Sequence, residues 1–326
     1  MPATNPFLDP RRVQAALRGL ELRPTRGMGQ NFLIDLHALA TIVAAADLQA
    51  DDVVVEVGPG LGVLTWELTQ RSRYVVAVEL DKRLAARLHQ QFRTTHAEPP
   101  ALSLPGPPAP PPVLHLLQAD ILDVSPLTLL QQAQAAWQAH ALPLPAGAAP
   151  PPYKLVANLP YAITAPVLQH FLHSPHPPRT LTVLVQWEVA ERITATAGEL
   201  SVRALAIQLY AAPQIVARVP ASSFIPAPAV DSAVLHLTTH TTPVIADIAP
   251  EALLRIIKAG FVQPRKKLAN SLTSGLASIG LNRSQAQVVA ALHAAGVDPN
   301  RRPETLTLAE WAQVYRMLQG DGGGAG

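Results

Sequence analysis

The chain predicts an α/β protein built on a parallel, doubly wound sheet, and three observations carry that expectation. Short segments that are apolar nearly throughout recur along the first half of the chain. Helix-length segments separate them. The segments end in glycine, acidic or amide residues rather than in hairpin turns. Strands covered on both faces read as continuous apolar runs, and helices between them supply the crossovers that parallel pairing needs.

After an N-terminal helix-like stretch, "VVVEV" (53–57) is the first buried strand and "LGVLTWELTQR" (61–71) the helix that follows it. "YVVAVEL" (74–80) is a second strand, followed by the helix "DKRLAARLHQQF". "VLHLLQ" (113–118), "YKLVA" (153–157) and "TLTVLVQ" (180–186) continue the alternation. "PQIVARV" and "SAVLHLT" then follow each other with only a loop between them, as a closing antiparallel pair. Beyond residue 245 the strand signal ends and helix-length segments run to "AEWAQVYRMLQG". Two proline-rich stretches, 96–112 and 142–152, cannot build a core and are read as extended surface inserts. The terminal "GDGGGAG" is a flexible tail.

At 326 residues the chain can bury a large core and is expected to hold two domains. The formal charge is only +2, too small to imply a nucleic acid by itself. Its distribution says more. From Ala252 to Val297 there is no acidic residue, while Arg255, Lys258, Arg265, Lys266, Lys267 and Arg283 fall there. Such a stretch suits a polyanion, and equally a solvated helical face. Cysteine is absent, which excludes disulfides and thiolate metal sites. The start lacks the apolar core of a signal peptide and no apolar run would span a membrane, so a cytoplasmic protein is expected.

Candidate functional residues collect where the strands end. The first strand runs into "EVGPGLG", in which Gly58, Gly60 and Gly62 let backbone approach a ligand at a helix N-terminus. The dinucleotide fingerprint would require glycine at 63, which is Val63, so the pattern is that of nucleoside-cofactor methyltransferases. Glu79 ends the second strand, 21 residues after Gly58, where a carboxylate can accept both hydroxyls of a ribose. Asp120, after the third strand, could hold an adenine amine or cap a helix. The fourth strand delivers Asn158, followed by Leu159, Pro160 and Tyr161.

The motifs "GQNFLID" (29–35), "EVGPGLG", "VELD", "QADI", "NLPY", "QWEVAER" (186–192), "FIPAPAVDSAVLHL" (224–237) and "KKLANSL" (266–272) occur in that order over roughly residues 20–315. Together they resemble the ribosomal RNA adenine dimethyltransferases, the KsgA/RsmA family. The resemblance implies a seven-stranded, Rossmann-like class I S-adenosylmethionine-dependent methyltransferase sheet over residues 1–244. It also implies a small helical RNA-binding domain over 245–319, with 320–326 as a tail. It implies S-adenosylmethionine as methyl donor, with no metal, and dimethylation of two neighbouring adenines near the 3′ end of small-subunit ribosomal RNA. The partner would be the immature small subunit, met by a monomer. Matched motif by motif, the cofactor contacts fall on Asn31, Leu33, Gly58, Glu79, Asp120 and Asn158, with Gly60 of the same turn beside them and Gln30 expected to help close the site. The acid-free stretch, with Arg265, Lys266 and Lys267 at its basic centre, is expected to bind RNA backbone.

An amide suits such a site because adenine N6 is a weak nucleophile whose lone pair is conjugated into the ring. The Asn158 oxygen can accept one of its N–H groups and the Leu159 carbonyl the other, which aims the lone pair at the methyl group. Pro160 holds Leu159 extended. Tyr161 offers a ring for the flipped base to stack on, and Phe224 is expected to be the second ring. The methylated amine can lose its proton to solvent, so no strong base is needed.

Two departures from the family pattern occur. Pro264-Arg265-Lys266 replaces a stretch richer in arginine and is expected to start a helix with proline, and "TATAGELSV" (194–202) lacks an aromatic residue. His170, His173 and His176 have no accompanying carboxylate and read as helix-end residues. Asp231 and Ser232 read as turn formers. The nearest alternatives are the large-subunit ribosomal RNA methyltransferases of the antibiotic-resistance type and an RNA-binding assembly factor without turnover.

Overall fold

The computed structural model describes residues 5–20, 31–95, 113–139 and 150–320. The first insert, most of the second, Gln30 and the glycine tail lie outside the described residues. In the first half the elements are α1 (Pro10–Gly19), β1 (Phe32–Leu33), α2 (Leu36–Ala46), β2 (Val53–Val57), α3 (Val63–Arg71), β3 (Tyr74–Glu79) and α4 (Lys82–Thr95). Then come β4 (Val113–Gln118), α5 (Pro126–Ala139), β5 (Tyr153–Asn158), α6 (Thr164–Leu172), β6 (Thr180–Gln186), α7 (Trp187–Ile193) and α8 (Val202–Gln208). The remainder is β7 (Ala211–Val219), β8 (Phe224–Ile225), β9 (Ser232–Thr239), α9 (Pro250–Gly260), α10 (Leu268–Ser278), α11 (Gln285–Ala294) and α12 (Leu308–Gly320).

Seven strands form one sheet in the order β4-β3-β2-β5-β6-β9-β7. From β4 to β6 every pair is parallel, and β9 returns antiparallel to β6. This is the seven-stranded class I arrangement that the sequence implied. The chain moves outward from β2 to β4 and then restarts on the other side of β2 with β5. The strand order therefore reverses between β2 and β5, and the crevice at their carboxyl ends is where open α/β sheets bind ligands. Val54, Val75, Val156, Leu184 and Val234 fill the sheet's interior with Leu39 and Ile42 of α2 and Leu68 of α3, all essentially excluded from solvent.

Local physics sets the boundaries. Gly62, at φ 88°, precedes α3, which starts at Val63 rather than at Leu61. Asp35 caps α2 by accepting from His37 N and Ala38 N. A two-stranded antiparallel sheet, β1 with β8, pairs Leu33 with Phe224 and was not expected from the sequence.

The chain divides into two compact units, 1–187 with 214–239, and 188–213 with 240–326. The linear boundary at 244/245 thus lies close to one crossing, while residues 188–213 join the C-terminal helices. Within the second unit Leu253, Ile257, Leu272, Leu292 and Trp311 form the buried core. Helix α10 starts at Leu268, not at Pro264: residues 262–266 are bends and turns, Lys267 has φ −56° and ψ 144°, and Leu268 N donates to Arg301 O at 2.7 Å.

Candidate active site

The residues at the carboxyl ends of β2, β3 and β5 enclose a pocket in the first unit. Asn31, Phe32, Leu33, Gly58, Gly60, Glu79, Asn158, Leu159, Pro160 and Tyr161 line it, together with Glu56. The glycine turn leaves β2 through Gly58 N, which donates to Val78 O at 2.9 Å. Gly60 has φ 58°, a conformation side chains resist, and a Cβ there would lie 3.2 Å from the Phe32 ring. A Cβ on Gly58 would lie 3.6 Å from Pro160, so the turn sits directly against the Asn-Leu-Pro-Tyr segment.

Glu79 is 5% exposed and its carboxylate is held in a fixed plane. Oε2 accepts from Gly60 N at 3.0 Å and Oε1 from Asp81 N at 2.9 Å. Each oxygen keeps a further lone pair, the acceptor set two ribose hydroxyls require. Burial raises the Glu79 carboxyl above the ordinary range, and the two backbone donors oppose that shift.

Asn158 is the last residue of β5, opposite Leu184 of β6. Its Nδ2 donates to Asn31 O at 3.1 Å. That bond orients the amide, and Oδ1 accepts no hydrogen bond among the described residues. Leu159 N donates to Leu184 O at 3.3 Å, and its carbonyl likewise has no protein donor among the described residues. Two acceptors on adjacent residues are therefore left at the pocket wall. Pro160, at φ −56° and ψ 128°, fixes the chain direction between them and Tyr161. The Tyr161 hydroxyl meets Ser232 Oγ at 2.6 Å.

The other expected site residues among those described lie outside the pocket lining. Asp120 spends one carboxylate oxygen on Leu122 N at 2.9 Å and is not part of the pocket lining, so the capping role left open by the sequence is the one its geometry displays. It remains beside Glu79, whose carbonyl accepts from Ala119 N at 3.1 Å. Phe224 is not at the pocket: it is 2% exposed, paired with Leu33 and packed in the sheet's core. The β1–β8 pairing holds that ring inward, so the face expected to serve as the second stacking ring is not open to a base in this structure. Arg265, Lys266 and Lys267 are exposed in the loop before α10, and Lys267 Nζ donates to Asn300 Oδ1 at 2.9 Å.

Sequence reasoning missed Glu56. It is 1% exposed within β2, lines the pocket, and its Oε2 has no hydrogen-bond partner among the described residues. Burial pushes its carboxyl up to about 8, and the nearby Glu79 adds to the shift. The available signal was a single carboxylate inside an otherwise all-valine strand.

With this geometry in place, the comparisons with known proteins decide the family. The family model described as ribosomal RNA adenine dimethylase matches residues 23–319. This chain belongs to the ribosomal RNA adenine dimethylase family. It is 37% identical over 310 residues to the ribosomal RNA small subunit methyltransferase A of Dehalococcoides mccartyi, covering 95% of this chain and 94% of that protein. The structure of a dimethyladenosine transferase from Plasmodium falciparum matches with a TM-score of 0.67 at 18% identity, covering 89% of this chain and 98% of the other. The 23S rRNA methyltransferase ErmE matches with a TM-score of 0.63 at 26% identity, covering 89% of this chain and all of the other. Membership in this dimethylase family makes the chain a class I methyltransferase, and S-adenosylmethionine is the methyl donor of that class.

Proposed function

We propose that the chain dimethylates N6 of two adjacent adenines near the 3′ end of small-subunit ribosomal RNA. The observation that carries this reading is the oriented Asn158 amide: one Nδ2 hydrogen goes to Asn31 O, which turns the amide so that Oδ1 is its free acceptor. An amine with two N–H groups complements that oxygen and the Leu159 carbonyl. The greater identity to a small-subunit enzyme than to ErmE supports the small-subunit substrate over the large-subunit one.

The pocket fits the methyl donor. Glu79 offers two fixed acceptors for a ribose, the Gly58–Gly60 turn admits a ligand close to backbone, and the free Oε2 of Glu56 can meet a polar or cationic group. When bound, S-adenosylmethionine supplies an electrophilic methyl group on a sulfonium. Asn158 Oδ1 and the Leu159 carbonyl accept the two N6 hydrogens and favour the pyramidal amine. Tyr161 supports the base extruded from its RNA stack. Catalysis on this account is positioning, which can supply roughly 7–11 kcal/mol, and the product's proton leaves to water.

The exposed Arg265-Lys266-Lys267 loop of the second unit contacts RNA phosphates on this reading. The partner is an immature small subunit, met in the cytoplasm by a monomer. No described helix is long and apolar enough to cross a membrane. The test is to incubate the protein with labelled S-adenosylmethionine and unmethylated small subunits, and to map the product by mass spectrometry. Two adjacent N6,N6-dimethyladenosines are expected. Label on large-subunit RNA would favour the ErmE-like activity, and no label an assembly factor.

A further inference from the structure

The reversed strand of the sheet does something the parallel strands cannot. Because β9 runs antiparallel to β6, its first residue, not its last, reaches the edge where β5 and β6 end, and Ser232 sits opposite Gln186 there. Ser232 is fully buried, yet its hydroxyl is not given to the sheet's own needs: Oγ meets the Tyr161 hydroxyl at 2.6 Å. Tyr161 is in turn the wall of the pocket immediately after Asn158, Leu159 and Pro160.

The strand start that carries Ser232 is itself braced. Asp231 O accepts from Trp187 N at 2.9 Å, Asp231 Oδ1 accepts from Ala221 N at 3.0 Å, and Asp231 Oδ2 accepts from Arg218 Nε at 2.9 Å. The Arg218 guanidinium lies 4.7 Å from the centre of the Trp187 ring. A turn former would need none of these bonds beyond its own loop. Together they fix the backbone from which one serine oxygen reaches a phenol.

We propose that Ser232 is a positioning residue for methyl transfer: by holding the Tyr161 hydroxyl it sets the tilt of the ring against which the target adenine rests. The physical argument is geometric. A tyrosine ring attached at only one end can swing about its first side-chain bond, carrying its face away from the base plane. Pinning the hydroxyl removes that swing, and loss of an angstrom of alignment costs a transfer that depends on aim far more than it costs binding. The inference rests on the proposed adenine substrate, and the residue acts through Tyr161 rather than on the adenine.

The experiment is a double-mutant cycle on Ser232→Ala and Tyr161→Phe, with single-turnover methylation of small-subunit RNA at saturating cofactor and RNA. Each single variant should transfer methyl ~10-fold more slowly. The double variant should be no slower than either, because both remove the same bond. Cofactor affinity and melting temperature should stay near wild type in Tyr161→Phe, which keeps the ring, and Ser232→Thr should restore the rate to Ser232→Ala by returning the hydroxyl. Should both serine variants fail to fold, Tyr161→Phe alone decides, since it removes the bond while leaving the ring and the serine in place. Additive losses in the double variant, or unchanged rates in Tyr161→Phe, would overturn the proposal. An inactive wild type on this RNA would contradict the proposed function and the lock with it, whereas an active wild type with unaffected variants contradicts the lock alone.

Discussion

Asn158 Nδ2 donates to the backbone carbonyl of Asn31 across 3.1 Å, joining residues 127 positions apart in the chain. The bond does two things at once. It brings the segment containing Asn31, Phe32 and Leu33 over the glycine turn, closing one side of the pocket. It also decides which end of the amide faces a substrate, because an amide nitrogen committed to a carbonyl leaves its oxygen as the free acceptor.

Glu79 gives the most direct test of the cofactor's place. Glu79→Ala should weaken S-adenosylmethionine by roughly 1.5–3 kcal/mol, the range for hydrogen bonds to a charged group. Titration calorimetry reads this. Unchanged affinity would rule out the ribose assignment.

Glu56 makes stability depend on pH in an uncommon direction. Its folded carboxyl titrates near 8 against an ordinary value of 4.5, so between those limits the folded state holds a proton that the unfolded state has lost. Its contribution is therefore fully present below about pH 4.5 and declines as pH rises toward 8, by about 1.4 kcal/mol per pH unit at most. Denaturation curves from pH 5 to 8 should fall less steeply for Glu56→Gln, which stays neutral throughout. Parallel curves for the two proteins would remove Glu56 as the cause.

In the second unit, Gly275 of α10 lies against α9 so closely that a Cβ would stand 1.9 Å from the Ala259 carbonyl oxygen. Backbone cannot yield as a flexible side chain can. Gly275→Ala should cost about 1–3 kcal/mol or more by overpacking, measured by urea denaturation. Stability equal to wild type would show that the helices separate freely.

The basic loop provides a test that leaves the cofactor aside. Neutralising Arg265, Lys266 and Lys267 together should weaken RNA binding and flatten its salt dependence. The slope should fall by roughly 0.7–0.9 for each phosphate that no longer meets a cation. Cofactor affinity should be unaltered. A wild-type salt slope in the triple variant would make this loop a solvated surface only.

Much of this was legible in the residues. Apolar runs ending in Gly58, Glu79 and Asn158 announce a parallel sheet with its chemistry at one edge, because local pattern determines strand type and strand end. Phe224 was legible as an aromatic near the site but not as a core residue. Its direction depends on pairing with Leu33, a contact spanning most of the chain that no local pattern encodes. The helices α7 and α8 of the 188–213 segment carry no local signal for the unit they join, so their membership of the second unit follows only from packing. Ser232 carried no sequence signal beyond its place before a strand, since its role needs both the antiparallel return of β9 and the position of Tyr161.

The central claim is that Asn158 aims an adenine amine, and single-turnover methylation by Asn158→Ala tests it most directly. With wild-type folding confirmed and small-subunit RNA bound, the account expects transfer to fall by roughly 100-fold or more, because the alanine can neither accept an N6 hydrogen nor hold Asn31. RNA affinity should stay close to wild type. A folded Asn158→Ala protein that methylates the same adenines at near wild-type rate would contradict the account.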